Sequence, residues 1–180
     1  MTQPRPVCLI TGASAGIGAA CAVLAAQRGY DLLLSYRSDA AGAETVKTRA
    51  EAAGARVVLV QADVADPDAI DRLYATLDAE FGRIDALINN AGAIDKIARL
   101  TDMDHARLTR IFAVNVIGAM LVAKGTVHRM EAQGHGGNVV NISSAAARLG
   151  SGGQFVDYAA TKGAIDTFTK GLSDEVAPSG

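Results

Sequence analysis

Val7-Cys-Leu-Ile-Thr-Gly-Ala-Ser-Ala-Gly-Ile-Gly18 decides the fold of this 180-residue chain. The apolar run at its start predicts a buried strand, and glycines 12, 16 and 18 follow that strand directly and open a helix. A tight turn at this point aims backbone amides and the positive end of the helix at a pyrophosphate. The spacing is Gly-x-x-x-Gly-x-Gly, and alone it indicates tight backbone packing as readily as phosphate binding.

Further apolar runs alternate with longer stretches of helical periodicity, a pattern typical of βαβ units and a parallel sheet buried on both faces. The predicted strands are Val7 to Thr11, Asp31 to Tyr36, Arg56 to Gln61, Ile84 to Asn89 and Gly137 to Ser143; the predicted helices cover 16–28, 40–53, 67–81, 104–132 and 157–176. We therefore expect a single α/β domain over residues 1–180, a Rossmann-type doubly wound parallel sheet in three αβα layers. Ligands of such sheets bind outside the carboxyl ends of the strands.

The composition narrows the functional classes. With 49% hydrophobic and 20% charged residues the chain can bury one core, and a net charge of −2 without basic runs argues against nucleic acid or an anionic membrane as partner. The first apolar run is too short for a signal or membrane segment. Cys8 and Cys21 lack motif spacing, which predicts free thiols in a cytoplasmic protein. His105, His128 and His135 lack ligand spacing, so we expect no metal site.

The end of the second predicted strand bears on the choice of cofactor. An acidic residue there would accept hydrogen bonds from the ribose 2′-hydroxyl of NAD. The chain has Ser35-Tyr36-Arg37 instead, and the Arg37 guanidinium can bind a 2′-phosphate through two hydrogen bonds. This favours NADP(H), with NAD(H) as the alternative. In the competing interpretation Arg37 is merely solvated, and Asp39 only caps the next helix.

Tyr158 and Lys162 stand four residues apart, so on a helix both side chains face the same cleft. A phenol is a poor acid or base at neutral pH, but a nearby cation favours its phenolate form. The pair is therefore a candidate acid/base site. Alone, Tyr-x-x-x-Lys also occurs by chance as a surface pair with the lysine stem packed along the ring.

Together these motifs resemble the classical short-chain dehydrogenase/reductase family, and the loop before Tyr158 resembles its glucose-1-dehydrogenase-like, or sugar oxidoreductase, subgroup. The matching motifs, in family order, are Thr11 to Gly18, Asn89-Asn90-Ala91-Gly92, Asn115 within Val-Asn-Val, Ser144, and Tyr158 with Lys162. The resemblance implies an NAD(P)-binding domain and an oxidoreductase that transfers hydride between nicotinamide and a carbonyl or alcohol. The alternative is a catalytically silent nucleotide-binding sensor or scaffold with the same fold.

The resemblance also implies roles for individual residues. Tyr158 is the general acid or base, Ser144 binds the substrate oxygen, Lys162 bonds the nicotinamide ribose, and Asn115 holds a water through its backbone carbonyl. Ser143 stays an alternative to Ser144, because the loop to Tyr158 is one residue longer than usual in the family. The implied cofactor-binding residues are Gly12, Ser14, Ala15, Gly16, Ile17, Gly18, Arg37, Asp63, Val64, Asn90, Ala91, Gly92, Tyr158 and Lys162.

The same resemblance implies a small-molecule substrate, a homodimer or homotetramer, and further strands with a substrate loop beyond Gly180. The dimer face is expected on the helix over 104–132 and the helix that begins near Asp157. These helices carry more apolar positions than a sheet-facing stripe requires, although all could belong to the core. The positions are Phe112, Val116, Met120, Val127, Phe168 and Leu172.

Overall fold

The computed structural model of the chain describes residues 5–179. Five parallel strands form one sheet: β1 (Val7–Ile10), β2 (Asp31–Tyr36), β3 (Val57–Gln61), β4 (Ala86–Asn89) and β5 (Asn138–Asn141). Their spatial order is β3-β2-β1-β4-β5, so the strand order reverses between β1 and β4. The predicted doubly wound α/β fold is confirmed, although four of the five strands are shorter than predicted.

The connecting helices are α1 (Gly16–Gln27), α2 (Ala40–Ala52), α3 (Pro67–Glu80), α4 (His105–Phe112), α5 (Ala119–Gln133), α6 (Ala146–Leu149) and α7 (Val156–Val176). A π-helical segment, Ala113–Gly118, joins α4 to α5, so the helix predicted over 104–132 is a continuous helical stretch with three parts. The short α6 was not predicted. Two 3-10 turns complete the described structure, at Leu100–Asp102 and Ala177–Ser179.

Two apolar layers cover the faces of the sheet. Alternate strand residues point to opposite faces, so Leu9 and Leu33 pack with α3 and α5, whereas Ile10 and Leu34 pack with α1 and α2. These four leucine and isoleucine side chains are at most 1% exposed. Burying each stabilises the fold by about 1.5–3 kcal/mol. The middle residues of β1 and β2 are apolar and buried, as expected of strands whose two faces are both covered.

The helical stretch His105–Gln133 is unusually long and apolar. Its mean hydropathy reaches 1.5 over 18 residues, enough by length and composition to cross a membrane. This is weak evidence for a membrane span, since core helices of globular domains meet the same criteria. Val122, Ala123 and Met130 of this stretch pack in the core beneath the sheet, and 44% of the apolar window is buried.

Within residues 5–179, β5 pairs only with β4 and forms an edge of the sheet. A groove of about 240 Å³ lies beside this edge, between α5 and α7. Val139, Met130 and Leu172 line it, together with the polar Asn138 and Thr169. Unpaired backbone groups at such an edge can accept another strand.

Candidate active site

The first turn of the chain is locked to the end of β4. Thr11 is fully buried, and its hydroxyl oxygen accepts hydrogen bonds from the backbone amides of Asn90 (3.0 Å) and Ala91 (2.9 Å). In return the Asn90 side-chain amide donates to the carbonyls of Thr11 and Gly12, each at 3.0 Å. The two neighbouring strand ends therefore form one rigid floor at the reversal point of the sheet, where ligands of doubly wound folds bind.

Glycine is required in this turn for space and for conformation. Gly12 has a φ of +64°, which L side chains rarely adopt. A Cβ on Gly18 would lie 2.4 Å from the Gly12 carbonyl oxygen and 2.6 Å from the Asn90 side-chain nitrogen, so only glycine fits there. The glycine spacing alone indicated either tight packing or phosphate binding. At Gly18, tight packing is what requires the glycine.

The start of α1 is nevertheless left open to a ligand. Its N-cap residue, Ala15, makes no side-chain capping hydrogen bond, and the first turn contains no acidic residue. The free amides of a helix start carry partial positive charge and favour an anion. The 12-residue α1 therefore presents uncapped amides beside the glycine turn, which fits a bound pyrophosphate.

A cleft of about 590 Å³ opens above this floor. Eleven of the predicted cofactor-binding residues line it: Gly12, Ser14, Ala15, Gly16, Ile17, Arg37, Asp63, Val64, Asn90, Ala91 and Gly92. Six further residues line the cleft and were not predicted from the sequence: Ser38, Asp39, Ala62, Ala93, Ile94 and Val114. Its volume is that of a typical small-ligand or cofactor site.

Arg37 and Asp39 have separate roles at the rim of this cleft. Asp39 caps α2, because its carboxylate accepts a hydrogen bond from the Gly42 amide at 2.9 Å. Arg37 is exposed, and its carbonyl accepts a hydrogen bond from the Gln61 side chain. Across residues 5–179, no carboxylate forms an ion pair with the Arg37 guanidinium. The guanidinium can therefore accept an anionic ligand without giving up a protein partner.

The predicted residues Gly18, Tyr158 and Lys162 are not among those that line the cleft, but Lys162 lies beside it, next to Tyr158. It is 5% exposed, and its ammonium donates to the Ile142 carbonyl oxygen at 2.6 Å and lies 5.7 Å from the centre of the Tyr158 ring. A Cβ on Gly92 would lie 3.9 Å from the same ammonium, which connects this pair to the cleft lining. Burial lowers the pKa of Lys162, and nearby Asp166 partly opposes that shift. Two of the three ammonium donors stay available.

Asn115 is in the π-helical segment and joins the cleft wall to α7. Its side-chain oxygen accepts from the Ala93 amide at 2.7 Å, and its side-chain nitrogen donates to the Ala93 carbonyl (2.8 Å) and the Thr161 hydroxyl (3.1 Å). With 1% exposure, all of its side-chain polar groups are used inside the protein. π-helical turns inside α-helices are frequent at functional sites.

The two serines after β5 differ in their bonding. The Ser144 hydroxyl oxygen accepts a hydrogen bond from the Ala146 amide at 3.1 Å, which leaves its own proton free to donate. The Ser143 hydroxyl instead donates to the Lys162 carbonyl over a long 3.5 Å contact. The arrangement therefore favours Ser144 over Ser143 as a donor to a substrate oxygen.

A buried ion pair next to Tyr158 was not predicted from the sequence. Arg107 of α4 and Asp157 of α7 are 9% and 4% exposed, and the Arg107 Nε lies 2.7 Å from the Asp157 carboxylate. Burial opposes ionisation of Asp157, but hydrogen bonds from Arg107 and from the Tyr158 amide outweigh it and hold the pKa of this carboxyl below its usual range. Since 50 positions separate the two residues, no local pattern links them.

Between residues 5 and 179, no three His, Cys, Asp or Glu side chains lie close enough together to hold a metal ion.

The glycine turn, the uncapped helix start and the nearby Tyr158 and Lys162 define a doubly wound α/β protein with a candidate ligand site at the carboxyl ends of its strands. The family model described as short chain dehydrogenase matches residues 6–180, and the chain belongs to this family of oxidoreductases. The resemblance of the sequence motifs to the short-chain dehydrogenase/reductase family is thereby confirmed.

Individual relatives and solved structures are similar to the chain over nearly its whole length. The chain is 40% identical over 176 residues to the uncharacterized oxidoreductase YgfF of Escherichia coli, covering 97% of this chain and 71% of that protein. It superimposes with a TM-score of 0.90 on acetoin dehydrogenase YohF from Salmonella typhimurium, at 33% identity and covering 98% of this chain and 69% of that one. NAD+-bound xylitol dehydrogenase gives 0.91 at 30% identity, covering 97% and 66% respectively.

Proposed function

We propose that the protein is an NAD(P)(H)-dependent oxidoreductase, favouring NADP(H), that interconverts a small-molecule alcohol and its carbonyl compound. The observation that carries this proposal is the buried Lys162 ammonium, which lies beside Tyr158 and next to Gly92 in the lining of the cleft of about 590 Å³. Burying a cationic side chain is costly, and this cost has a functional explanation if the ammonium serves the phenol and the cofactor ribose.

The residues of the cleft fit a dinucleotide. The uncapped α1 amides suit the pyrophosphate, and Arg37, at the rim and without an ion-pair partner among the described residues, suits a 2′-phosphate. Asp63 and Val64 line the same cleft, and Asn90 to Gly92 offer close backbone approach to a flat ligand. A similar structure is NAD+-bound, so the preference for NADP(H) rests on Arg37 alone.

The nicotinamide cofactor, when bound, supplies or accepts the hydride. Tyr158 then gives its phenolic proton to the carbonyl oxygen during reduction, or removes the proton of the alcohol during oxidation. Lys162, whose ammonium lies 5.7 Å from the centre of the Tyr158 ring, has donors left for the cofactor ribose. Ser144 donates its free proton to the substrate oxygen, and Asn115 fixes the cleft wall against α7 while its backbone carbonyl holds a water.

The remaining expectations are part of the same proposal. The similar structures are named for acetoin and xylitol, so small hydroxyketones and polyols are the first compounds to test. The free thiols Cys8 and Cys21 suit a cytoplasmic protein. A homodimer or homotetramer is the expected assembly.

Tyr158→Phe in the full-length protein tests the proposal. Only the transferable proton is lost, so turnover should fall by ~10²–10⁴-fold while NADPH affinity changes little. Rates would be followed by NADPH absorbance with a panel of ketones, sugars and acyl thioesters, and affinity by NADPH fluorescence. Tyr30→Phe, at a half-buried tyrosine next to the α1–α2 layer, serves as the control.

The outcomes are distinct. A Tyr158→Phe rate within about threefold of the unmodified rate would remove the acid/base assignment, since positioned acid catalysis is worth far more. Tight NADPH binding without turnover of any compound in the panel would favour the silent nucleotide sensor instead.

A further inference from the structure

Arg107 connects three parts of the molecule around the candidate site. Its Nε and Nη2 atoms donate to the two carboxylate oxygens of Asp157 at 2.7 and 3.3 Å, and its Nη1 donates to the Lys96 carbonyl at 2.8 Å. The guanidinium therefore joins α4, the loop that follows β4 and the first turn of α7. A planar fork of fixed donors holds such a junction more rigidly than a single flexible ammonium can.

Asp157 relays this junction to the next residue. Its Oδ1 atom accepts a hydrogen bond from the Tyr158 amide at 2.9 Å. The N-cap residue of α7, Phe155, makes no side-chain capping bond, so the Asp157 carboxylate satisfies an amide that the helix start would otherwise leave free. The carboxylate that pairs with Arg107 therefore also accepts a hydrogen bond from the backbone amide of Tyr158.

The loop side of the junction reaches the cofactor cleft. Ala93 lines the cleft, and its backbone is hydrogen-bonded to the Asn115 side chain. Asp95 forms an ion pair with Arg110 of α4. The Ala98 amide donates a hydrogen bond to the Gln154 carbonyl at 3.1 Å. The Arg107 bond to Lys96 lies between these attachments. The loop over residues 93–98 is consequently tied to both α4 and the segment that leads into α7.

We propose that Arg107 is a positioning residue which, acting through Asp157, sets the location of Tyr158 relative to the cofactor cleft. This inference rests on the proposed function for its catalytic consequence. Nothing in the comparisons assigns a role to either residue. Arg107 contacts neither the phenol nor Lys162 in the described bonds, so its effect passes through the backbone of α7.

Replacing one residue of the Arg107–Asp157 ion pair should have a different effect from replacing both, because of the charges around the pair. Asp95 and Asp104 also face Arg107, whereas Lys162 and Asp166 lie further along α7. Loss of Arg107 alone leaves the buried Asp157 carboxylate without its counter-charge beside Tyr158. Loss of both charges leaves no buried unpaired ion, so a double variant is expected to recover much of what each single variant loses.

The experiment uses Arg107→Gln, Asp157→Asn and the double variant in the full-length protein. Hydrogen exchange should accelerate about tenfold over residues 155–160 in Arg107→Gln, while β1 and β4 keep their protection. With diacetyl as the probe, kcat should fall ~10²-fold, because small misplacement of a reacting group is costly, and NADPH affinity should stay within about twofold. The double variant should return kcat to within about tenfold of the unmodified protein.

Arg83→Gln is the matched control, since Arg83 also forms a half-buried two-bond pair with an aspartate, Asp85, but lies before β4 at the opposite end of the strand. It should leave kcat and exchange at 155–160 unchanged. Faster exchange across the whole sheet with unaltered activity per folded molecule would make Arg107 merely structural and overturn the proposal. If diacetyl is not reduced at all, exchange at the Tyr158 amide still decides the positioning, so failure of the proposed function stays separate.

Discussion

Arg37 is the residue on which the proposed cofactor preference depends. Its guanidinium lines the rim of the cleft and has no ion-pair partner among the described residues, while the neighbouring Asp39 is occupied in capping α2. A 2′-phosphate would supply the missing anionic partner. The free 2′-hydroxyl of NAD gives no such charge, so a contribution of Arg37 to binding should depend on the phosphate.

Arg37→Ala is therefore expected to weaken NADPH binding by about 1.5–3 kcal/mol, as for a hydrogen bond between charged groups, and to leave NADH binding nearly unchanged. Fluorescence titration of both cofactors measures the difference. Arg49→Ala, at an exposed arginine of α2 away from the cleft, controls for net charge. Equal losses for both cofactors would show that Arg37 is structural, and tighter NADH binding by the unmodified protein would reverse the cofactor preference.

At the residue scale, candidate site residues could be found from the sequence where they belong to one local pattern. Tyr158 and Lys162 lie one helical turn apart, and the Gly12 and Gly18 requirements follow from one turn, so spacing alone could nominate them. Arg107 and Asp157 meet only because α4 packs against α7. An isolated arginine on an amphipathic helix carries no signal for such a pairing, since most arginines are solvated.

The long helix before β5 has a feature that periodicity could not reveal. Its apolar pattern predicted one regular helix, yet Ala113–Gly118 is π-helical and ends on a glycine packed against the β3–α3 loop. A Cβ on Gly118 would lie 2.3 Å from the Val64 carbonyl oxygen. Since Val64 lines the cofactor cleft, this close approach fixes the distance between the helix and the cleft.

Gly118→Ala should accordingly destabilise the protein by about 1–3 kcal/mol through overpacking, and weaken cofactor binding as the loop with Val64 shifts. Thermal unfolding and NADPH titration measure the two effects.

Gly171→Ala is the matched control, because this glycine lies within α7 with no atom near its added Cβ. There alanine should stabilise by about 0.5–1 kcal/mol through helix propensity. Equal stability changes at the two positions would contradict the packing explanation.

The errors at element ends have similar causes. β5 is shorter than predicted because its ladder to β4 pairs only Asn138 to Asn141, so Gly137, Ile142 and Ser143 lie outside the strand. The short α6 was missed because its four residues, Ala146–Leu149, stand in a glycine- and serine-rich segment where turn chemistry dominates local propensity. Chain order and element type, by contrast, follow directly from the alternation of strand and helix patterns.

At the scale of the whole molecule, the sheet is covered on both faces but open along β5. The groove beside that edge is lined by apolar side chains of α5 and α7 as well as by β5 itself. The chain covers 71% of the length of YgfF. The resemblance implied that further strands and a substrate loop follow in family members, and this edge is where an added strand could pair.

The expected dimer face is also a property of the whole molecule. The six apolar positions from which it was predicted differ in their exposure. Phe168 and Leu172 pack against the core, so they add little to an outer face. Phe112 and Met120 remain 37% and 42% exposed, and Ile117, not among the six, is 56% exposed between them. We infer that these three exposed residues form one apolar patch on the α4–α5 stretch.

We expect this patch to bury itself against a second copy, because contiguous exposed apolar surface marks interaction sites. Sedimentation velocity of the full-length protein at micromolar concentration should show a dimer or tetramer, and the double variant Phe112→Asp with Met120→Asp should shift it to monomer, since buried unpaired carboxylates are strongly disfavoured. Leu24→Asp, at a 51% exposed leucine of α1 on the opposite layer, should leave the assembly intact. A monomeric unmodified protein, or an aspartate variant that stays assembled, would place the interface elsewhere or remove it.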